Sequence, residues 1–183
     1  MVRQLPLCLV VGALSACSGG SGGTPTPLAF ATAQDAVRQV CTSPSSHRGI
    51  VTAVRALHWP LLRQGDIPEQ VVGNGMVSWS DVALSPGRDM MVAAGRAGGT
   101  SFCRVYVRQA QSSPVQQILE RTAVLGAPLG APDFRQSIDG SDVTGWHRRV
   151  GREWRAVHLS IAEPPPAQQS AMPVVIEVTR SAT

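Results

Sequence analysis

Residues 141–161 read SDVTGWHRRVGREWRAVHLSI, and this stretch decides how the chain folds. Two runs of alternating apolar and polar residues flank Gly151-Arg152, a pair that suits a tight turn. We therefore predict a β-hairpin in which the numbers of facing residues sum to 303. The pairs expected in this register are Trp154 with Arg149, Ala156 with His147, and His158 with Gly145.

Because successive strand residues point to opposite sides, the hairpin has two different faces. One face carries four candidate ligand-binding residues, His147, Arg149, Trp154 and His158. The other face carries residues expected in the core, namely Trp146, Val157, Leu159 and Ile161. Diagonal neighbours across such a pair lie about 7–8 Å apart, so the two histidines are expected to share a site.

The composition of this face favours a ligand other than a metal. Two histidines without a nearby carboxylate or cysteine fall short of the three or four protein ligands that a metal usually has. An arginine beside a tryptophan offers positive charge and a stacking surface, which suits an anion or a glycan. The alternative is a solvated sheet face on which Arg149 stacks on Trp154, and a register slip of one residue would separate the cluster.

Hydrophobic spacing predicts further helices and strands around the hairpin. The predicted helices are 32–41, 49–63 and 113–125, with caps at Thr32, at Ser45 or Ser46, and at Ser113. The predicted strands besides the hairpin are 76–84, 89–94, 101–108 and 174–180. The order is ααβββαβββ, which predicts an α+β fold with about three helices on one face of an antiparallel sheet of about 5–6 strands.

Two other groups of residues deserve a functional hypothesis. Trp79 and Tyr106 suit a binding platform, although packing at the core or its rim is the favoured explanation. Asp81 and Asp89 flank the turn Ser85-Pro86-Gly87-Arg88, whose composition is typical of a type II turn. They resemble a carboxylate pair only if a cleft holds them about 5–9 Å apart, so solvation of the turn is the expected role.

Cys41 and Cys103 are predicted to form a disulfide. Cys41 lies on the apolar stripe of the first helix, and Cys103 shares a strand face with Val105 and Val107. A helix stripe packed on that face brings the two sulfurs together. Neither cysteine belongs to a Cys-x-x-Cys pair, which argues against a redox role.

Composition excludes several enzyme classes. All 16 basic residues are arginine, so the chain cannot contain a P-loop lysine, a Schiff-base lysine or a Ser-x-x-Lys acylase. Gly-x-Ser-x-Gly and His-Glu-x-x-His motifs are also absent. The formal net charge is +4 and the arginines are scattered apart from those at 148–155, so no nucleic-acid partner is expected. Nothing in the sequence indicates a cofactor.

The first 17 residues, MVRQLPLCLVVGALSAC, have the features of an export signal. Arg3 is followed by an apolar run of about ten residues, too short to span a bilayer, which needs about 20. Leu14-Ser15-Ala16-Cys17 resembles the lipobox of bacterial lipoproteins. The resemblance implies that residues 1–16 are removed as a signal peptide and that Cys17 is acylated, which anchors the chain to a membrane.

Residues 17–27 are then a flexible tether rich in Gly, Ser, Thr and Pro, and residues 28–183 form a single domain. Ser18, in place of the aspartate that retains lipoproteins in the inner membrane, implies an outer-membrane location facing the periplasm. The body resembles only small envelope lipoproteins of proteobacteria, and this resemblance implies no activity.

Three hypotheses of function follow. The favoured one is a non-enzymatic, lipid-anchored envelope domain that binds an envelope protein or a glycan. The second is a hydrolase-like enzyme with a site near His147 and His158. The third is a structural envelope protein that contacts peptidoglycan.

Overall fold

The computed structural model describes residues 26–72, 76–108, 112–121, 123–162 and 172–182. Its helices are α1 (Ala33–Ala36), which continues into a wider π-helical turn (Val37–Thr42), α2 (His47–Arg55), α3 (Glu69–Val72) and α4 (Ser112–Arg121). Its strands are β1 (Ser78–Leu84), β2 (Met90–Ala97), β3 (Thr100–Val107), β4 (Phe134–Ile138), β5 (Ser141–Val150), β6 (Glu153–Ala162) and β7 (Val174–Ala182). The predicted signal peptide and Cys17 lie outside the described residues.

The α+β class is confirmed, with one antiparallel sheet in the order β1-β2-β3-β7-β6-β5-β4. The predicted number of about 5–6 strands is wrong, because the described residues form seven strands. The missed strand is β4, a short edge strand whose residues 135–138 are all exposed. It has no buried alternation, and that is why hydrophobic periodicity does not reveal it.

The sheet separates two apolar clusters of different size. The larger one lies between the sheet and the helices α1, α2 and α4, and it includes the predicted core residues Trp146, Val157 and Leu159. On the other side, called the outer face below, a smaller cluster lies over β1–β3. Val71 of α3, with Leu62, covers that part of the face. None of the described helices is long and apolar enough to cross a membrane.

Two of the predicted helix caps are confirmed. The Thr32 hydroxyl accepts a hydrogen bond from the Asp35 N–H at 3.2 Å, and Ser46 caps α2 by accepting from the Gly49 N–H at 3.1 Å. The helix predicted for 49–63 is shorter than expected, because α2 ends at Arg55 and His58 takes a φ of 55°. A residue in that left-handed region cannot continue a right-handed helix.

The turn between β1 and β2 differs from the predicted type II turn. Its positive φ lies at Arg88, at 57°, and not at Gly87. The Arg88 N–H donates to the Ser85 carbonyl at 2.8 Å, and the Ser85 hydroxyl accepts from the Met90 N–H at 3.0 Å. The Ser85 side chain therefore helps to close the turn, and Gly87 does not take the positive φ that a type II turn requires at that position.

The predicted disulfide between Cys41 and Cys103 is confirmed, with a Cα–Cα distance of 5.4 Å. It fastens the π-helical turn to β3 in the middle of the larger cluster. Arg180 of β7 reinforces the same place, because its guanidinium donates to the carbonyls of Cys41 at 2.9 Å and Thr42 at 2.7 Å, and also to that of Pro44. The carbonyls of Cys41 and Thr42 lie at the end of the helical segment, where helix carbonyls lack a partner within the helix, so Arg180 acts as its cap.

Candidate functional site

The hairpin forms in the predicted register. Its observed pairs include Trp154 with Arg149, Ala156 with His147, and His158 with Gly145. The rings of His147 and His158 are brought together on the outer face, with their centroids 5.5 Å apart and their planes at 70°. The structure therefore places both predicted histidines in one cluster.

His158 belongs to a row of residues that crosses the whole sheet, and His147 adjoins this row. Strand pairing aligns one residue from each of the seven strands in this central row. From β4 to β1 its members are Phe134, Gly145, His158, Glu177, Arg104, Ala93 and Val82. The row joins the hairpin to β3 and β7, and no local sequence pattern indicates that these strands lie beside it.

Glu177 is the centre of the row, because a cationic or polar group contacts each of its carboxylate oxygens. The Arg104 Nε donates to Oε2 at 2.5 Å, and the His158 Nδ1 lies 3.4 Å from Oε1. Burial by itself would raise the pKa of Glu177, but the His158 hydrogen bond and the Arg104 charge outweigh it and hold the pKa below its usual value. Glu177 is therefore an ionised, nearly enclosed carboxylate.

Each partner of Glu177 lies beside an aromatic ring that occupies the space above a glycine. Trp79 covers Gly95, where an ideal Cβ would lie 2.7 Å from the ring atom Cε3. Phe134 covers Gly145, where an ideal Cβ would lie only 2.1 Å from Cε1. The two glycines thus let aromatic rings lie flat on the sheet, one on each side of Glu177.

These rings contact the groups that bind Glu177. The Arg104 guanidinium carbon lies 4.9 Å from the centre of the Trp79 ring, within cation–π range. The Phe134 ring centre lies 5.8 Å from that of His158 and 5.7 Å from that of His147. Tyr106 accepts a long hydrogen bond of 3.4 Å from Arg104, and burial raises the pKa of its phenol. The arginine and the histidine are thereby held in fixed orientations.

His147 contacts a different carboxylate, that of Asp133. Its Nδ1 lies 3.6 Å from the Oδ2 of Asp133, and its backbone N–H donates to the same oxygen at 2.5 Å. That backbone hydrogen bond, followed by the bonds from Arg148, lowers the pKa of Asp133. Asp133 therefore positions the strand around His147 as an ionised group.

The expectation of two histidines without a nearby carboxylate is therefore wrong, since Glu177 and Asp133 both lie within reach. The two acids come from outside the hairpin, so periodicity within residues 141–161 does not reveal them. Even so, the described residues contain no group of three or more His, Cys, Asp or Glu that could hold a metal ion.

A shallow depression of about 300 Å³ lies on the outer face, and Glu177 with its partners Arg104 and His158 lines it. Its lining combines hydrogen-bonding groups with two valine side chains. The lining residues are Arg104, Tyr106, Val143, His158, Ser160, Val175 and Glu177.

No protein family model, curated protein or solved structure matches this chain.

Arg149 and Trp154, the other two predicted binding residues, lie at the end of the hairpin. Trp154 is 48% exposed, a large value for an indole on a sheet. The Arg149 Nε lies 3.4 Å from the Gly151 carbonyl, and no carboxylate in the described part of the chain forms an ion pair with Arg149. The structure also records no stacking of Arg149 on Trp154, the contact that the alternative interpretation expects.

The remaining candidates have structural partners. Asp81 binds Arg55 at 2.6 Å, and Asp89 accepts from the Ser85 hydroxyl at 2.6 Å, so the two carboxylates serve separate contacts. Tyr106 is 1% exposed and belongs to the smaller apolar cluster with Trp79. These two rings are therefore packing residues, although both also contact Arg104.

Proposed function

We propose that the chain is a lipid-anchored domain of the bacterial envelope that binds a ligand or partner on the outer face without catalysing a reaction. The anchor is the Cys17 predicted from the lipobox, and the location is the periplasmic side of the outer membrane. The binding residues are His147, Arg149, Trp154 and His158. The observation that supports binding is the arrangement around Glu177, whose charge is neutralised inside a rigid and shallow sheet face.

This arrangement is unsuited to general acid catalysis. A catalytic carboxylic acid needs a raised pKa so that it carries a proton near neutral pH. The pKa of Glu177 is shifted in the opposite direction by His158 and Arg104. Among the described residues, the depression that includes Glu177 is shallow and lacks the enclosed shape that excludes water around most reaction centres. Fixed hydrogen-bonding groups on a shallow face instead favour recognition.

Site-specific photo-cross-linking in the native host tests the binding face. A photoreactive amino acid replaces Trp154 on the outer face, and the matched control replaces Gln39, which is exposed on the helix side. We expect discrete adducts from position 154 and none of the same mass from position 39. Identical adducts from both positions, or none from position 154, would contradict the proposal.

The anchor has its own test. Metabolic labelling with a radioactive fatty acid should mark the full chain, and Cys17→Ser should abolish the label and release the protein from membranes. Cys8→Ser is the matched control, because Cys8 lies within the predicted signal peptide. Labelling that survives Cys17→Ser would refute the lipobox assignment while leaving the binding face untouched.

One contact favours the hydrolase-like alternative. With Nδ1 facing Glu177, His158 has Nε2 as its remaining ring nitrogen, and a carboxylate that fixes a histidine in this way occurs in nucleophilic enzymes. The non-enzymatic proposal expects equal, background hydrolysis of p-nitrophenyl acetate by the wild type, His158→Gln and His147→Gln. Hydrolysis well above background that only His158→Gln abolishes would overturn it.

A further inference from the structure

The two ends of the sheet differ in their relation to the N-terminal tether. Leu28 is held at one end, where its N–H donates to Leu57 at 2.9 Å and its carbonyl accepts from the Trp59 indole at 2.6 Å. Residues 27–30 also line a depression with Ser85, Pro86, Gly87 and Asp89 of the β1–β2 turn. The tether therefore joins the domain at the end of the sheet that carries this turn.

The β5–β6 turn lies at the opposite end. Strand pairing aligns Met90, next to the β1–β2 turn, with Ile161 through β3 and β7, whereas Trp154 aligns with Ala97 at the other end of β2. Strand β6 has 10 residues, which span about 30 Å at about 3.3 Å per residue. In a lipid-anchored protein the hairpin tip is thus the part of the sheet farthest from the tether.

The residues at this far end form a second row on the outer face, called the distal row. It consists of Arg149, Trp154, Ser181, Thr100 and Ala97. Only the first two have large side chains, so the Trp154 indole stands beside small hydroxyl-bearing neighbours. Ala156, the next outer-face residue along β6, is also small and buried. One side of the indole is consequently accessible to a flat ligand.

The chemistry of the distal row matches a sugar ring that carries a negative charge. An exposed indole provides an apolar surface against which the C–H groups of a pyranose can pack, while hydroxyls and His147 supply hydrogen bonds. The Arg149 guanidinium can bind a carboxylate through two parallel hydrogen bonds. Glu153, the nearest acid in sequence, is already engaged by Arg155 at 3.1 Å.

We infer that the distal row, together with His147, binds an acidic glycan located away from the anchoring membrane. This inference rests on the proposed function, since it names the ligand of the same outer face. Trp154 packs on the sugar ring and Arg149 pairs with its carboxylate. An acidic protein is the competing ligand, but it would not require the accessible indole.

The test measures binding of the full chain, purified in detergent after expression with its own N-terminus. The three probes are polygalacturonate, its methyl ester, and polyglutamate, at fixed ionic strength. They separate an acidic sugar from an uncharged sugar and from a charged polymer without sugar. We expect binding to polygalacturonate that is at least tenfold tighter than binding to either of the other two.

Variants connect this binding to the distal row. Arg149→Gln should weaken binding to polygalacturonate about tenfold or more, the size expected for a charge-assisted hydrogen bond, and Trp154→Ala should weaken it to a similar extent by removing the apolar surface under the sugar ring. Arg48→Gln, at an exposed arginine on the helix side, is the matched control and should leave binding unchanged. Arg149→Gln is at an exposed position, so it keeps the test valid if Trp154→Ala lowers stability.

Three results would overturn the inference. Equal binding of polyglutamate would show a general polyanion site, and equal binding of the methyl ester would show that charge has no part. Absence of polygalacturonate binding would exclude this ligand class. In that last case, protein adducts from position 154 in the cross-linking experiment would preserve the proposed binding function, whereas the absence of both would refute the two proposals together.

Discussion

Glu177→Gln is the most informative single substitution, because it removes the charge at the centre of the outer face and changes little else. The side chains of Arg104 and Glu177 are only 23% and 15% exposed. Removing one partner of a buried ion pair costs about 3–5 kcal/mol, since it leaves the other charge uncompensated. Because both side chains keep some exposure to solvent, we expect Glu177→Gln to lower the unfolding free energy by about 3 kcal/mol, near the lower end of that range.

Urea unfolding followed by circular dichroism measures this loss. In thermal unfolding of a chain of this size, a loss of about 3 kcal/mol corresponds to a decrease in Tm of about 6–12 °C. Glu120→Gln is the matched control, because Glu120 pairs with Arg135 at 3.5 Å where 61% of the arginine side chain is exposed. A pair at the surface contributes about 1 kcal/mol or less.

A double-mutant cycle isolates the interaction from the substitutions themselves. Arg104→Met removes the guanidinium while keeping an apolar chain against Trp79. The double variant should lose at least about 1 kcal/mol less stability than the sum of the two single losses. Strict additivity, or a loss below about 1 kcal/mol for Glu177→Gln alone, would refute the assignment of Glu177 as a tightly held charge.

The same residue predicts how stability depends on pH. The pKa of Glu177 is lower in the folded protein than the value of about 4.3 in an unfolded chain. Its stabilising contribution is therefore fully present above about pH 5 and is lost as the pH falls through the folded pKa. The difference in unfolding free energy between the wild type and Glu177→Gln should therefore shrink as the pH falls from 5 towards 3. A difference that grows over this range would contradict this sign.

Two further sets of substitutions test the contacts that support the site. Replacing Cys41 and Cys103 by alanine opens a loop with a sequence separation of 62 and should cost at least about 4 kcal/mol in urea unfolding, and reductant should lower the unfolding midpoint of the wild type but not that of the variant. Gly145→Ala should expel the Phe134 ring, cost about 1–3 kcal/mol, and increase carbethoxylation of the two nearby histidines measured by mass spectrometry, because its Cβ would lie 2.1 Å from the ring. Gly99→Ala, with no heavy atom within 4 Å of its Cβ, should change neither quantity.

The sequence specified the hairpin and the disulfide because both depend on local patterns. A two-residue turn at Gly151-Arg152 determines every pair of β5 and β6, so the proximity of the two histidines follows from counting. The apolar faces of a helix and a strand place Cys41 and Cys103 on the sides that pack together. These features need no knowledge of the order of strands.

The centre of the site could not be predicted in this way. Alternation in residues 174–180 places Glu177 on the polar side of its strand, but it does not say which strands lie on either side. Arg104 and Glu177 are 73 residues apart, and only the pairing of β3 with β7 brings them together. Phe134 was missed for a different reason, since its strand is short and mostly exposed.

The position of β7 has a consequence for how the protein assembles. This strand is the last in the described chain but the fourth of seven in the sheet, where it joins β1–β3 to β4–β6. A chain that emerges N-terminus first therefore keeps two unpaired strand edges, on β3 and β6, until residues 174–182 arrive. Such edges invite pairing with other chains. One late strand closes both of them at once, so loss of the nine residues of β7 would separate the protein into two incomplete sheets.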